Sequence, residues 1–259
     1  MSRYNGLEII FKRRFSGGLG YQAGYTLSKS MDTRSFDPTF STVSRGAAQS
    51  ASSTPFDINN RRLNYAWSDF DRRHAFQATA VYELPFGKGK WLASDVNSAV
   101  DNIIGGWQIS TAMNLASGRP FTVYSGFLTF SNAVQSTANC GGCARNIGKL
   151  VQESGTNFWF DSVARALFTS NVTAAGSNGT TGRNYFIAPR QFQIDASLLK
   201  KFKITERVNF DLRVDARNLT NTPNFDIPTA SVTSVTFGRI RDGVINTSRR
   251  IQFAGKVSF

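Results

Sequence analysis

The chain has 259 residues, 30 basic against 17 acidic side chains, and a net charge of +13, with 22 Phe and 22 Gly. An aromatic content of 13% with only 18% charged residues excludes a wholly disordered chain. There is no apolar run of about 18 residues, which excludes a spanning helix but not spanning strands, because those need only about 9–11 alternating residues.

The first predicted element is a strand near Leu7, Ile9 and Phe11, weakened as a signal by the apolar Ile10. A short turn at Ser16-Gly17-Gly18 leads into a second strand, where Leu19, Tyr21, Ala23, Tyr25 and Leu27 alternate with Gly20, Gln22, Gly24, Thr26 and Ser28. A third strand alternates Phe76, Ala78, Ala80, Tyr82 and Leu84 with Gln77, Thr79, Val81 and Glu83. A fourth sets Trp107, Ile109, Thr111, Met113 and Leu115 against Gln108, Ser110, Ala112, Asn114 and Ala116. A fifth sets Phe192, Ile194, Ala196 and Leu198 against Gln191, Gln193, Asp195 and Ser197. In the sixth, Val208, Phe210, Leu212, Val214 and Ala216 oppose Asn209, Asp211, Arg213, Asp215 and Arg217. The seventh places Ile251, Phe253, Gly255, Val257 and Phe259 opposite Arg250, Gln252, Ala254, Lys256 and Ser258. A period of two sustained over four or five repeats fits a strand and not a helix, whose like residues recur every three or four positions.

The connections alternate in length. The turns at Ser16-Gly17-Gly18 and Thr205-Glu206 are short, and Pro85 to Gly106 is of middle length. Ser30 to Asp71, Ser117 to Arg190 and Thr220 to Arg249 are long and rich in Ser, Thr, Asn and Gly. Long loops without structure count against a compact soluble domain. Short and long connections in alternation fit an outer-membrane barrel, with tight periplasmic turns and long outer loops. Phe15, Tyr21, Tyr82, Phe86, Trp107, Phe202, Phe210 and Phe259 gather at the short-turn ends, as an interfacial aromatic girdle does. The reading is all-β: a partial antiparallel transmembrane β-barrel meander of about seven strands.

The motifs that carry a resemblance are FDRRHAF from Phe70, VYELPFGKGK from Val81, GGWQIS from Gly105 and NLASGRPFT from Asn114. GRNYFIAPRQFQIDASLLKKF from Gly182, ARNLTNTPNF from Ala216, FGRI from Phe237 and RRIQFAGKVSF from Arg249 follow in the same order. In this order and spacing the chain resembles the C-terminal part of the barrel of a TonB-dependent outer-membrane receptor of the Oar-like kind, whose members carry a carboxypeptidase-regulatory-like domain ahead of the plug. The resemblance implies a larger barrel of about 22 strands with a plugged lumen. Residues 1–259 are then its C-terminal segment, with the plug, the N-terminal domains, the TonB box and the signal peptide expected upstream. It also implies that Phe253, Val257 and Phe259 form the signal read by the outer-membrane assembly machinery. The implied partners are outer-membrane lipid, that machinery, TonB through the plug, and a bulky substrate such as an oligosaccharide or peptide. The implied location is the bacterial cell outer membrane.

Cys140-Gly-Gly-Cys143 lacks the helix start that a redox motif needs, and only His74 adds an imidazole for a metal, so a small loop disulfide is expected. His74 sits at a strand edge with no nucleophile assigned to it. Gln193, Asp195, Arg213, Asp215, Arg217 and Lys256 are expected to face the lumen, with the charges on the sixth strand forming an ion-pair ladder with Asp195, Lys201 and Glu83 of neighbouring strands. Gly87-Lys-Gly-Lys90 lacks the spacing of a phosphate loop. No catalytic constellation, metal site or cofactor site is found, and no enzyme is expected. The loop aromatics Trp67, Tyr124, Phe158, Trp159 and Tyr185 suit either stacking on sugar rings or closing a lid. The basic groups Lys12-Arg13-Arg14, Lys200-Lys201-Lys203 and Arg239/Arg241 are too scattered for a nucleic-acid partner. Two other readings remain: a stand-alone structural or adhesive outer-membrane β protein, and a soluble carbohydrate-binding β-sandwich.

Overall fold

Seven long strands follow one another through a single antiparallel sheet in a computed structural model: β1 (Ser2–Ser16), β2 (Leu19–Asp32), β3 (His74–Glu83), β4 (Trp107–Ala116), β5 (Gln191–Lys203), β6 (Asn209–Arg217) and β7 (Arg250–Ser258). The two-residue strand Ala66–Trp67 adds to the far end of β2. The structure describes residues 1–35, 60–128, 135–170, 178–205, 207–240, 245–246 and 248–259. Glu206 and Arg241 lie outside the described residues. Each strand pairs with its neighbour in sequence, so the sheet is a meander. Gly17 and Gly18 close the first hairpin with φ of +60° and +81°, a left-handed turn that matches the twist of the paired strands and that glycine adopts without steric cost.

The register carries the alternation across the whole sheet. Ile9, Tyr25, Phe76, Leu115 and Phe192 lie directly opposite one another on five successive strands. One position along, Gly24, Gln77, Asn114 and Gln193 form the matching polar row. Further on, Leu198, Val214 and Phe253 make an apolar row, and Ser197, Asp215 and Gln252 a polar one. Successive side chains on a strand point to opposite sides, so a single register slip would exchange the two faces. None occurs in the registers that join β2 to β7. Phe192, Ile194, Leu212, Val214 and Phe253 therefore share one face. Gln193, Asp195, Arg213, Asp215, Arg217 and Lys256 share the other.

Three details depart from the expected strands. Ile10, which blurs the first alternation, belongs to the polar face, opposite Gly24. β5 runs past Leu198 to Lys203, which brings Lys200 onto the apolar face. Its side chain is buried there, with the ammonium donating to Gly105 O and lying 5.5 and 5.0 Å from the Trp107 and Phe202 ring centroids. β7 stops at Ser258, opposite Asn209, and Phe259 lies beyond it fully exposed, so Phe259 is not the last strand residue that alternation predicts. The pairing ends there because β6 begins at Asn209 and offers no further partner.

All long connections leave one end of the sheet. The Gly17-Gly18 turn, the segment 84–106 with its helix α1 (Ser98–Ile104), and the segment 204–208 lie at the other end. Tyr21, Tyr82, Trp107, Phe202 and Phe210 sit on the apolar face toward that second end, with Phe202 stacked on Phe210 at 5.9 Å.

The hydrophobic core is not in the sheet. Phe121, Val123, Tyr124, Phe160, Phe168, Phe186, Ala230 and Phe237 form one buried cluster, and all of them come from the connections β4–β5 and β6–β7. Phe160 contacts Phe121, Phe168, Phe186 and Phe237 at centroid distances of 5.0–6.1 Å. The long loops thus fold into a body of their own, with helix α2 (Ser162–Ala166) and several two- and three-residue strand pairs. The two connections interlock: Tyr124 N donates to Ala230 O, Trp159 N donates to Gly238 O, and Arg119 pairs with Asp226 at 2.9 Å. Burial of rings across two loops replaces the structureless loops that their composition suggests.

Candidate binding site on the polar face

The polar row is built by strand pairing alone. Gln77, Asn114 and Gln193 fall on adjacent strands of an antiparallel sheet, so their side chains stand roughly 4.7–5.5 Å apart in a line. Small residues flank them: Gly24, Thr79 and Ala112. A side chain built at Gly24 would meet no heavy atom within 4 Å, so the floor is open above the backbone. A cavity of about 490 Å³ lies against this floor, lined by Glu8, Gln22, Gln77, Asn114, Gln193 and Asp195 among others. A second cavity of about 320 Å³ continues toward the loop end and shares Asn114, Gln193 and Asp195 with the first. Arg217, Asn218, Asn224 and Asn246 also line it, with Phe192 and Ile245 as apolar neighbours.

The groups are partly committed. Gln193 Nε2 donates to both Asp195 oxygens at 3.1 and 3.2 Å, and Asn218 N donates to Asp195 Oδ1 at 2.8 Å. Asn224 Oδ1 accepts from Phe192 N, and Asn246 Oδ1 accepts from Asn224 N. Amides that both donate and accept, on a floor of small residues, suit a neutral ligand rich in hydroxyl or amide groups.

Of the six polar residues expected on this face, Gln193, Asp195 and Arg217 line the cavities. Arg213, Asp215 and Lys256 share the face but lie outside the cavity linings. Among the described residues the expected ion-pair ladder is corrected to a single pair, Arg213 Nε to Asp215 Oδ2 at 2.9 Å. Asp195 is held by Gln193 and Asn218 rather than by a cation, and Glu83 pairs with Lys90 at 3.2 Å. Lys201, Asp211 and Lys256 are aligned across strands but form no ion pair among the described residues.

Arg183 fixes the loop body at the end of β2. It is fully buried and donates to Asp32 Oδ1 at 2.8 Å, to Asp69 Oδ1 at 3.1 Å, to Ser35 Oγ at 2.7 Å and to Asn64 O at 2.9 Å. The next residue, Asn184, donates to Trp67 O and Asp69 Oδ1. Two adjacent residues of the β4–β5 connection therefore lock the loop body onto the end of β2. At the root of that connection, Arg72 donates to Ser117 O and to Gln191 Oε1. Burial, with Arg119 nearby, lowers its pKa to about 10.

The loop aromatics divide. Tyr124 is buried in the core, where desolvation raises its pKa well above the ordinary tyrosine value. Trp159 Nε1 donates to Ile187 O, Tyr185 OH donates to Cys143 O, and the Phe158 ring lies 4.2 Å from the Arg165 guanidinium. Trp67 is surrounded by cations. Cys140 and Cys143 are joined in a disulfide, and Cys143 packs into the phenylalanine core. His74 Nδ1 shares a 2.7 Å hydrogen bond with Tyr25 OH. Among the described residues no group of His, Cys, Asp and Glu side chains is placed to hold a metal ion. Arg183, Asp32 and Asp69 were missed from sequence, because their partners lie over 100 residues apart in the case of Arg183, and nothing local marks them.

Phe253 and Val257 lie exposed on the apolar face of β7, opposite Val214 and Phe210. A family model described as an outer membrane beta barrel domain matches residues 1–252. No curated protein matches the chain, and no solved structure does.

Proposed function

The chain belongs to the outer membrane beta barrel domain family and is a strand-rich barrel protein of the bacterial outer membrane, and from that premise we propose that it takes part in TonB-dependent uptake of a bulky substrate. The observation that carries the reading is the unclosed sheet. β1 and β7 are its outermost strands, and the side chains of β1 are exposed along its whole length. Hydrocarbon offers nothing to unpaired backbone N–H and C=O groups, so an open edge is not stable in a bilayer. Both edges call for partner strands, and seven strands are then the last third of a wide barrel in the manner of the Oar-like receptors. In that barrel the polar face with its cavities is the lumen, and the loop body is the outer cap. Oligosaccharides and peptides fit the amide-lined floor. The role is binding and transport, without catalysis, and the plug that engages TonB belongs to the remainder of the receptor. Phe253, Val257 and Phe259 serve as the assembly signal.

The test uses the organism's intact gene. A deletion strain and its parent are grown on oligosaccharides and on peptides as nutrients, with and without an uncoupler of the proton-motive force. The expected result is a nutrient whose uptake falls on deletion and on uncoupling alike. Equal growth of the two strains on every such nutrient would overturn the reading.

A further inference from the structure

Three cations converge on one ring at the loop end of β2. Arg145, from the β4–β5 connection, places its guanidinium carbon 3.9 Å from the Trp67 ring centroid. Lys29 Nζ lies 4.9 Å from the same centroid, and the Arg73 guanidinium carbon lies 5.8 Å from it. Each distance falls within the roughly 6 Å reach of a cation–π contact. Among the described residues, none of the three side chains donates a hydrogen bond to the protein or forms an ion pair. Among the described residues Asp71 is the one carboxylate whose charge acts on all three, and its Oδ1 already accepts from Ser30 N at 2.6 Å. A ring face offsets only a small part of the charge of each exposed cation. Three positive charges against one negative leave a local excess of two, with the guanidinium donors of Arg73 and Arg145 still unused. The residues come from three separate segments, so no local sequence run forces them together.

The position is specific as well. Lys29 and Met31 follow Tyr25 and Leu27 on the apolar face of β2, and Trp67 pairs with Met31 on that same face. The cluster therefore sits at the outer rim of the face that carries the apolar rows, where hydrocarbon gives way to headgroups.

We propose that Lys29, Arg73 and Arg145, gathered around Trp67, form a binding site for a phosphate group. Arginine supplies the planar donor fork that matches phosphate oxygens, and Lys29 adds a point charge. The phosphate belongs either to a lipid headgroup of the surrounding leaflet or to a soluble phosphate-bearing ligand. The site does not depend on the uptake reading, since it is complete within this chain.

The full chain in lipid-free detergent micelles is titrated with inorganic phosphate. In parallel it is titrated with phosphatidylcholine vesicles that contain or lack phosphatidic acid. Tryptophan fluorescence is the readout, with Trp67→Phe as the blank that removes the reporter from the background of the other three tryptophans. A saturable change is expected with inorganic phosphate or with the vesicles that contain phosphatidic acid, whose phosphate is net anionic, and not with pure phosphatidylcholine, whose phosphate is neutralised by its own choline cation. It weakens on the order of tenfold in Arg145→Gln and is retained in Arg145→Lys. Lys149→Gln, which lowers the net charge equally at an exposed site, leaves it unchanged. Saturation by inorganic phosphate assigns a soluble ligand, and saturation by phosphatidic acid vesicles alone assigns a lipid. No response to either probe, or equal affinity in Arg145→Gln, Lys149→Gln and the unaltered chain, overturns the proposal.

Discussion

The Arg183 guanidinium lies 2.8 Å from the Asp32 carboxylate, although 151 residues separate them in sequence. Asp32 ends β2, and Arg183 belongs to the connection that enters β5. With Asp69 as a second buried acceptor, the pair fastens the loop body to the sheet. The sheet and the cap are otherwise stabilised by different means: backbone pairing in the first and a phenylalanine core in the second.

Removing Arg183 should therefore undock the cap. Arg183→Met leaves Asp32 and Asp69 buried without their cation, which costs about 3–5 kcal/mol for a buried pair broken on one side. Limited proteolysis of the protein in detergent is the measurement. Faster cleavage within residues 117–190 is expected while the sheet stays protected. Unchanged cleavage would mean that the loops are held without this contact.

The core of the cap makes a second prediction. Phe160 is completely buried and touches four other phenylalanines. Phe160→Ala leaves a cavity that rings from two separate loops cannot easily close, at a cost of about 3–5 kcal/mol. The same substitution at Phe127, which is 43% exposed on a nearby strand, should cost much less. Denaturant unfolding of both variants, monitored at the loops, checks the difference.

The legibility of the chain follows from the range of the forces. The seven sheet strands were readable because alternation is local: Leu212 and Arg213 declare their faces by their neighbours alone. Lys200 was not readable as an apolar-face residue, because its burial rests on Gly105 O and on the rings of Trp107 and Phe202, supplied in part by another strand. The cap was hidden for the same reason. Phe121, Phe168 and Phe237 look like isolated rings among Ser, Asn and Gly until the two loops are brought together. The Arg213–Asp215 pair was foreseen from its i, i+2 spacing, whereas the wider ladder failed because aligned charges on adjacent strands need not turn toward each other.

Asp71 gives the stability a pH dependence of known sign. Burial is the largest influence on its carboxyl and raises the pKa above 3.8, partly offset by the Ser30 N–H and by the charges of Arg145, Arg73 and Lys29. The folded state thus binds this proton more tightly than the unfolded state does. The resulting stabilisation is fully present below about pH 3.8 and is lost as pH rises through the raised pKa. Compared with Asp71→Asn, the unaltered protein should lose relative stability over that interval and then level off. Thermal unfolding of both proteins across the acidic range measures the difference, and a relative gain with rising pH would contradict the assignment.

The last prediction separates lipid from lumen. Val214 stands near the middle of β6 between Leu198 and Phe253 on the apolar face. Gln193 stands on the polar face beside Asn114 and lines both cavities. If the apolar face meets hydrocarbon, Val214→Arg moves a guanidinium into lipid and costs about 2–4 kcal/mol near the bilayer midplane, falling toward zero at the interfaces. Gln193→Arg places the same group in the watered lumen beside Asp195, where substitution alters selectivity more than stability. The intact receptor, folded in phospholipid vesicles and unfolded with urea, reports both costs. A large loss for Val214→Arg beside a small one for Gln193→Arg is the expected pattern. Equal costs would show that the two faces meet the same solvent, and the assignment of lipid and lumen to the two faces of β4 to β7 would have to be abandoned.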